Sequence, residues 1–348
     1  MSHLVSNSES PLLQVRSLKT EFSTPSGTVH AVRGVDLDVR GGERVGIVGE
    51  SGSGKTALAL SILGLIDPPG RVVSGSICLK GRELWPFDER RLNEVRGKEI
   101  ALVFQDPMTA LDPIQTIGRQ IGEALRSHSS MSRRKARQSA IGLMQEVGIS
   151  SAARRVDNYP HQYSGGMRQR VMIAVALANQ PDLIIADEPT TALDVTSQAQ
   201  ILDLLTQICR DRGTAIVLIT HNLGIVAGFC DYVFVMYAGR IVEHSPVREL
   251  FAHPVHPYTE ALLRSVPRSV AEGESLYSIP GSPPDLARLG RGCPFAPRCD
   301  RGRNEPRCAN EDPATFEAMS TYGPVMAECN FAEERFALVA QQGPGHPS

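Results

Sequence analysis

At 348 residues and 37.7 kDa the chain can form one large domain or two ordinary ones, and 41% hydrophobic with 21% charged residues excludes disorder as its general state. Thirty-six Lys and Arg against 38 Asp and Glu leave a formal charge of −2, so only a local patch could meet nucleic acid or anionic lipid. Apolar runs such as Val171 to Ala178 fall short of the roughly 20 residues of a spanning helix and no export signal opens the chain, so a cytosolic setting is the default and the seven cysteines read as thiols, not disulfides.

In chain order, Arg44 to Val48 reads as a buried strand, being short, continuous and rich in Val and Ile, and Ala57 to Leu65 as the helix after it. Ile100 to Phe104 is another apolar run. Ile117, Ile121 and Leu125 then fall four apart, and Ala140, Met144 and Val147 repeat at four and three, each set on one helical face. Residues 106–165 therefore form a helical insertion, with Ser127 to Arg137 as a solvated Arg-rich connection. Asp182 to Ala186 and Thr214 to Thr220 return to strand character, giving an α/β fold with a mostly parallel sheet. From His253 onward prolines replace periodic runs, and four of the seven cysteines gather there, which points to a separate, irregular module.

Gly49-Glu50-Ser51-Gly52-Ser53-Gly54-Lys55-Thr56 satisfies G-x-x-x-x-G-K-[ST] between a strand and a helix. Its glycines let main-chain N–H groups curl around phosphates, Lys55 neutralises the outer phosphates and Thr56 offers a hydroxyl to Mg²⁺. Leu183 to Asp187 delivers a second Mg²⁺ ligand, with Glu188 beside it to polarise an attacking water. Gln105 and His221 follow apolar runs and belong on the same ligand edge of the sheet. Ser164-Gly165-Gly166, opening a further helix, is a second phosphate-ready N-terminus. One nucleotide cannot easily use both, so this tip is expected to serve a neighbouring subunit's ATP.

This set resembles the ATP-binding subunits of ABC transporters, a P-loop NTPase fold with an inserted helical subdomain. Gly49 to Thr56 matches the Walker A motif, Gln105 the Q-loop, Tyr163 to Gln169 the signature, Leu183 to Asp187 with Glu188 Walker B, Thr191 to Asp194 the D-loop, and His221 the H-loop. The resemblance covers residues 12–255 and implies two domains closing head to tail on two ATP. Glu188 and His221 would act with Lys55 in hydrolysis, while Thr56, Gln105 and Asp187 would hold Mg²⁺. Ser164, Gly165, Gly166 and Gln169 would reach the partner's nucleotide, and Asp194 would tie the halves. Phe22 is the candidate for stacking on adenine.

The finer resemblance is to dipeptide and oligopeptide importers, carried by Phe104 to Pro113, His256-Pro257-Tyr258-Thr259, Ile279-Pro280-Gly281 and Gly292 to Cys299. It implies peptide uptake, a paralogous ATP-binding subunit or a second copy as mate, two transmembrane permeases, an extracytoplasmic binding protein, no direct nucleic acid, and a peripheral place on the cytoplasmic face of the membrane. Uptake of another small solute such as nickel stays open. A soluble ABC protein acting on ribosomes or DNA is the rival; two cassettes in one chain or a long coiled-coil insertion, its usual marks, are missing. A silent ATP-binding scaffold is disfavoured by Glu188 and His221.

Within residues 256–348, Cys293, Cys299, Cys308 and Cys329 lack the paired C-x-x-C spacing of ordinary zinc sites, and nearby arginines, Arg298 and Arg307 among them, are expected to favour thiolates. Some importer subunits similar to this one carry a four-iron four-sulfur cluster here; zinc and free thiols are the alternatives. Cys78, Cys209 and Cys230 read as core residues.

Overall fold

Five short strands rich in Val, Ile and Leu lie parallel at the centre of the protein, because only a strand covered on both faces can be continuously apolar. The computed structural model describes residues 10–191, 193–266 and 277–342, side chains excepted at 339–342. Its elements run β1 (Leu13–Thr24), β2 (Gly27–Val39), β3 (Arg44–Val48), α1 (Lys55–Ile62), β4 (Gly70–Leu79), β5 (Arg82–Glu83), α2 (Glu89–Val95) and β6 (Ile100–Val103). There follow α3 (Pro107–Ala110), α4 (Ile117–Ser127), α5 (Arg133–Glu146), α6 (Ala152–Arg155), α7 (Gly165–Ala176), β7 (Leu183–Asp187), α8 (Val195–Arg212), β8 (Ala215–Thr220) and α9 (Leu223–Phe229). The chain closes with β9 (Tyr232–Tyr237), β10 (Arg240–Pro246), α10 (Val247–Ala252), α11 (Pro257–Arg264), α12 (Pro306–Asn310), β11 (Thr315–Ser320), β12 (Gly323–Glu328) and α13 (Ala332–Gln342).

The large sheet has the order β11-β12-β10-β9-β3-β8-β7-β6, with β9, β3, β8, β7 and β6 parallel. Its two faces feed different cores, as a two-residue side-chain period requires. Ile185, Val217 and Ile219 face an antiparallel sheet, β2-β1-β4-β5, across α1. Ile184, Ile216 and Leu218 face the helical side, where Ile117, Ile121, Leu125, Ala140 and Met144 are all buried.

Three expectations change. The antiparallel sheet is absent from the motif-led reading, although the alternation of Val35, Leu37 and Val39 is there to be seen; β-bulges in β1 interrupt the matching alternation of its partner. The Arg-rich connection is partly helix, since Ser132 caps α5 by accepting from the Lys135 N–H and the arginines at 133, 134 and 137 point to solvent from its surface. Nor is the C-terminal region a separate appendage. Strand β12 pairs with β10, placing Glu243 opposite Ala327, so the hairpin β11–β12 extends the main sheet, and Tyr258, Phe295 and Cys299 join the main core.

Candidate nucleotide site

The loop after β3 must curl so tightly that two of its glycines are obligatory. A Cβ at Gly49 would stand 2.1 Å from the Met236 carbonyl oxygen, and one at Gly54, where φ is +104°, 2.2 Å from that of Ala31. Gly54 opens α1 without a side-chain cap, leaving first-turn amides free for an anion. Lys55 is buried and donates to the carbonyls of Gly49 (2.8 Å) and Glu50 (2.9 Å). Burial lowers its pKa, opposed by the charges of Glu188, Asp187 and Glu50.

Across the loop, β7 ends in Asp187, whose buried Oδ1 has no hydrogen-bond partner among the described residues and whose carboxylate lies within reach of the Thr56 hydroxyl. Burial, joined by the charge of Glu188, raises its pKa, with the nearby Thr56 hydroxyl and Lys55 opposing. A hard divalent cation takes this donor chemistry, one carboxylate and one hydroxyl oxygen, so these residues fit Mg²⁺. Glu188 has φ +46°, an unusual backbone for glutamate, and is held at several points. Gln105 Nε2 donates to its Oε2 at 3.0 Å, the Thr191 hydroxyl donates at 2.9 Å, and His221 Nδ1 stands 3.1 Å from Oε1. Burial acts to raise its pKa, yet the hydrogen bonds from His221 and Thr191 prevail and keep it below the ordinary glutamate value, so it is an anion at neutral pH. Gln105, Glu188 and His221 thus meet at the carboxyl ends of three adjacent strands, β6, β7 and β8.

Ser164 caps α7 by accepting from the Met167 N–H, and Ser164 and Gly165 are exposed with Gly166 half-buried. Gln169 does not share that surface: at 2% exposure it lies on the buried face of α7, because five residues along a helix turn a side chain well away from the tip. It cannot reach a neighbouring subunit's nucleotide. Asp194 uses both carboxylate oxygens within its own chain, accepting from the Ser197 N–H and hydroxyl to cap α8, while residue 192 of the same loop lies outside the described residues. Phe22, half-buried in β1, packs its ring against Gly70. Glu50 departs from its expected part in phosphate binding, since its N–H donates to the Tyr258 hydroxyl at 2.9 Å and its carboxylate pairs with Arg298.

Residues 32–191 match the family described as ABC transporter, and residues 242–308 the family described as oligopeptide/dipeptide transporter, C-terminal region. The oligopeptide transport ATP-binding protein OppD of Escherichia coli K12 is 51% identical over 288 residues, which is 83% of this chain and 85% of that protein. AppD of Bacillus subtilis 168, also an oligopeptide transport ATP-binding protein, is 48% identical over 306 residues, 88% of this chain and 93% of its own. Among solved structures, the dimeric post-hydrolysis state of the ATP-binding cassette MJ0796 bound to ADP and Pi aligns with a TM-score of 0.62 at 27% identity, covering 68% of this chain and 99% of that one. The chain belongs to the ATP-binding subunits of the oligopeptide/dipeptide ABC transporter family. It is an ABC-type ATPase with the ABC-cassette P-loop fold.

In this ABC subunit the four C-terminal cysteines converge. Cys293, Cys299, Cys308 and Cys329 line one small cavity with His256, Gly302 and Asn330. A Cβ at Gly302 would stand 3.3 Å and 3.4 Å from the sulfurs of Cys299 and Cys308. The Gly302 N–H donates to the Cys299 sulfur at 3.2 Å and the Phe331 N–H to that of Cys329 at 3.4 Å. The thiols are not thiolate-prone by themselves: burial pushes Cys293 up to about 11 and Cys329 up to about 12. Of the arginines expected to offset this, Arg298 is engaged with Glu50, while Arg307, over the Phe331 ring, acts to lower the Cys308 thiol, which burial still raises. Among the described residues no group of three or more His, Cys, Asp or Glu side chains is arranged to hold a metal ion. Of the other three cysteines, Cys209 and Cys230 are buried and Cys78 is half-buried in β4. Sequence reasoning missed the contacts of Tyr258, met only inside a family-like string, and of Arg298, which it had assigned to the cysteines.

Proposed function

We propose that this chain is the ATP-hydrolysing subunit that powers uptake of peptides through a membrane ABC importer. The observation that carries it is the convergence of Gln105, Glu188 and His221 on one edge of the sheet beside the P-loop lysine, an arrangement suited to orienting a water against a terminal phosphate. In this reading Lys55 and the amides of residues 49–56 other than Glu50 bind the triphosphate, with Phe22 against adenine. Thr56, Gln105 and Asp187 would hold Mg²⁺, which supplies charge neutralisation at the phosphates. Glu188 accepts the water's proton or orients it, and His221 contacts the outer phosphate. Ser164, Gly165 and Gly166 complete the site of the facing subunit, a paralogue or a second copy, and Asp194 lies at that seam.

Residues 12–255 would then act as the nucleotide-binding unit, 106–165 as its helical part, and 256–348 as the importer-specific extension. The peptide class rests on OppD and AppD together with the C-terminal match. Two permeases and an extracytoplasmic binding protein would complete the assembly. No helix of the described residues is long and apolar enough to cross a membrane, and attachment to permeases at the cytoplasmic face is the corresponding location. Reconstituted with the co-purifying permeases, the complex should couple ATP hydrolysis to accumulation of labelled oligopeptides. Hydrolysis stimulated by nickel or by ribosomes instead would replace the peptide reading.

The cysteine cavity is best suited to a four-iron four-sulfur cluster. Four thiols around one cavity, with N–H donors on two sulfurs and no side chain at Gly302, support this reading, and ligation would require the thiols to move into a metal-holding arrangement that they do not have here. Cluster ligation would supply the positive charge that the buried thiols need in order to ionise. Anaerobically purified protein should be coloured and contain iron and sulfide; colourless, iron-free protein would remove the cluster.

A further inference from the structure

Glu50, the second residue of the phosphate loop, is gripped from three sides. The Arg298 guanidinium donates to both carboxylate oxygens, Nη1 to Oε2 at 2.6 Å and Nη2 to Oε1 at 2.9 Å. The Tyr258 hydroxyl accepts the Glu50 N–H at 2.9 Å, and the Glu50 carbonyl accepts from Lys55 at 2.9 Å. Arg298 is itself locked, 7% exposed, with Nε donating to the Pro280 carbonyl at 2.8 Å and Nη1 to the Tyr237 hydroxyl at 3.3 Å. The Tyr258 ring packs 4.5 Å from that of Tyr237, centroid to centroid.

We propose that Arg298 and Tyr258 are positioning residues for ATP binding, which hold the phosphate loop in its binding shape by fixing Glu50 and, through its carbonyl, the ammonium of Lys55. A planar, bidentate, desolvated Arg–carboxylate pair restricts both translation and rotation of its acceptor, which a single surface charge does not. A loop whose amides must converge on phosphate oxygens gains affinity when its shape is set before the ligand arrives. Glu50 is therefore not a phosphate contact; it is the handle by which a segment 248 residues later sets the loop.

The proposal rests on reading residues 49–56 as the ATP site, and the test separates the two. In full-length protein carrying Glu188→Gln, so that nucleotide is bound without turnover, ATP affinity is measured for Arg298→Gln, Glu50→Gln, their combination, Arg298→Lys and Tyr258→Phe, with melting temperature followed in parallel. Tyr258→Phe keeps the buried ring and removes only the acceptor, so it remains informative if Arg298→Gln does not fold. Each single variant should weaken ATP binding by roughly 3- to 30-fold, the range expected for residues that act through another group. The double variant should be no weaker than the worse single, and Arg298→Lys should recover part of the loss. Unaltered ATP affinity in Tyr258→Phe and the Arg298 variants, whatever happens to melting temperature, overturns the inference. Lys55→Ala is the control: loss of binding there with no effect at 298 or 258 sinks only this proposal, while intact binding in Lys55→Ala sinks the nucleotide-site reading itself.

Discussion

Glu188 shows how a single carboxylate acquires a chemical role from its surroundings. Partial burial alone would push it toward the neutral form, but three side chains from three different segments spend hydrogen bonds on it and keep it ionised. Replacement by Gln keeps the shape and removes the charge. We expect Glu188→Gln to retain ATP binding and to lose hydrolysis by roughly 100-fold or more in the assembled complex; a rate matching the unsubstituted complex would take the role away from this residue. Lys55 and Glu188 were legible because they stand in short contiguous strings whose spacing encodes geometry, and His221 was placed on the same edge by the apolar run before it. Gln169 was misread for the same reason: proximity in the string Ser164 to Gln169 suggested a shared surface, and the helical turn separates them.

Among the elements, β10 carries the junction between the cassette and its extension. Its Glu243 is fully buried and accepts the N–H groups of Val255 and His256, both at 2.8 Å, so it ties the strand to the turn leading into α11. Burial raises this carboxyl to about 7, the nearby Thr259 hydroxyl, the hydrogen bonds from the Val255 and His256 N–H groups and the charge of Arg335 pulling the other way, while His256 beside it is held neutral, lowered to about 3. The folded state then keeps a proton that the unfolded chain releases near 4.5. Stability from this group is complete below that pH and declines as pH rises toward 7, at up to about 1.4 kcal/mol per unit. Chemical denaturation of the parent and Glu243→Gln between pH 4.5 and 8 should show the parent losing stability relative to the variant across that window and running parallel above it. A constant difference at all pH values would mean that Glu243 is ionised throughout. The hairpin β11–β12 lay outside sequence reading because a proline-rich stretch separates it from the strand it pairs with, and strand pairing across that distance leaves no local periodicity.

For the whole molecule, the exposed tip at Ser164 matters most, since nothing among the described residues uses it beyond capping α7. Substituting it leaves the core untouched and removes only the α7 cap, a loss of about 1 kcal/mol. We expect Ser164→Arg to melt only a few degrees below the parent and still bind ATP, yet to abolish ATP-dependent pairing with its mate, as followed by light scattering in the Glu188→Gln background. Pairing that survives the arginine would exclude the two-chain site. The sequence alone carried the α/β class, the phosphate loop, the carboxylate pair after β7 and the helical insertion, since each is written in contiguous residues whose local spacing has physical meaning. Only the tertiary structure decided that the extension continues the main sheet, that four thiols share one cavity, and that Arg298 grasps Glu50. Those contacts join residues far apart in the chain, and which distant groups meet is set by packing of the whole core, a property no short window of residues contains.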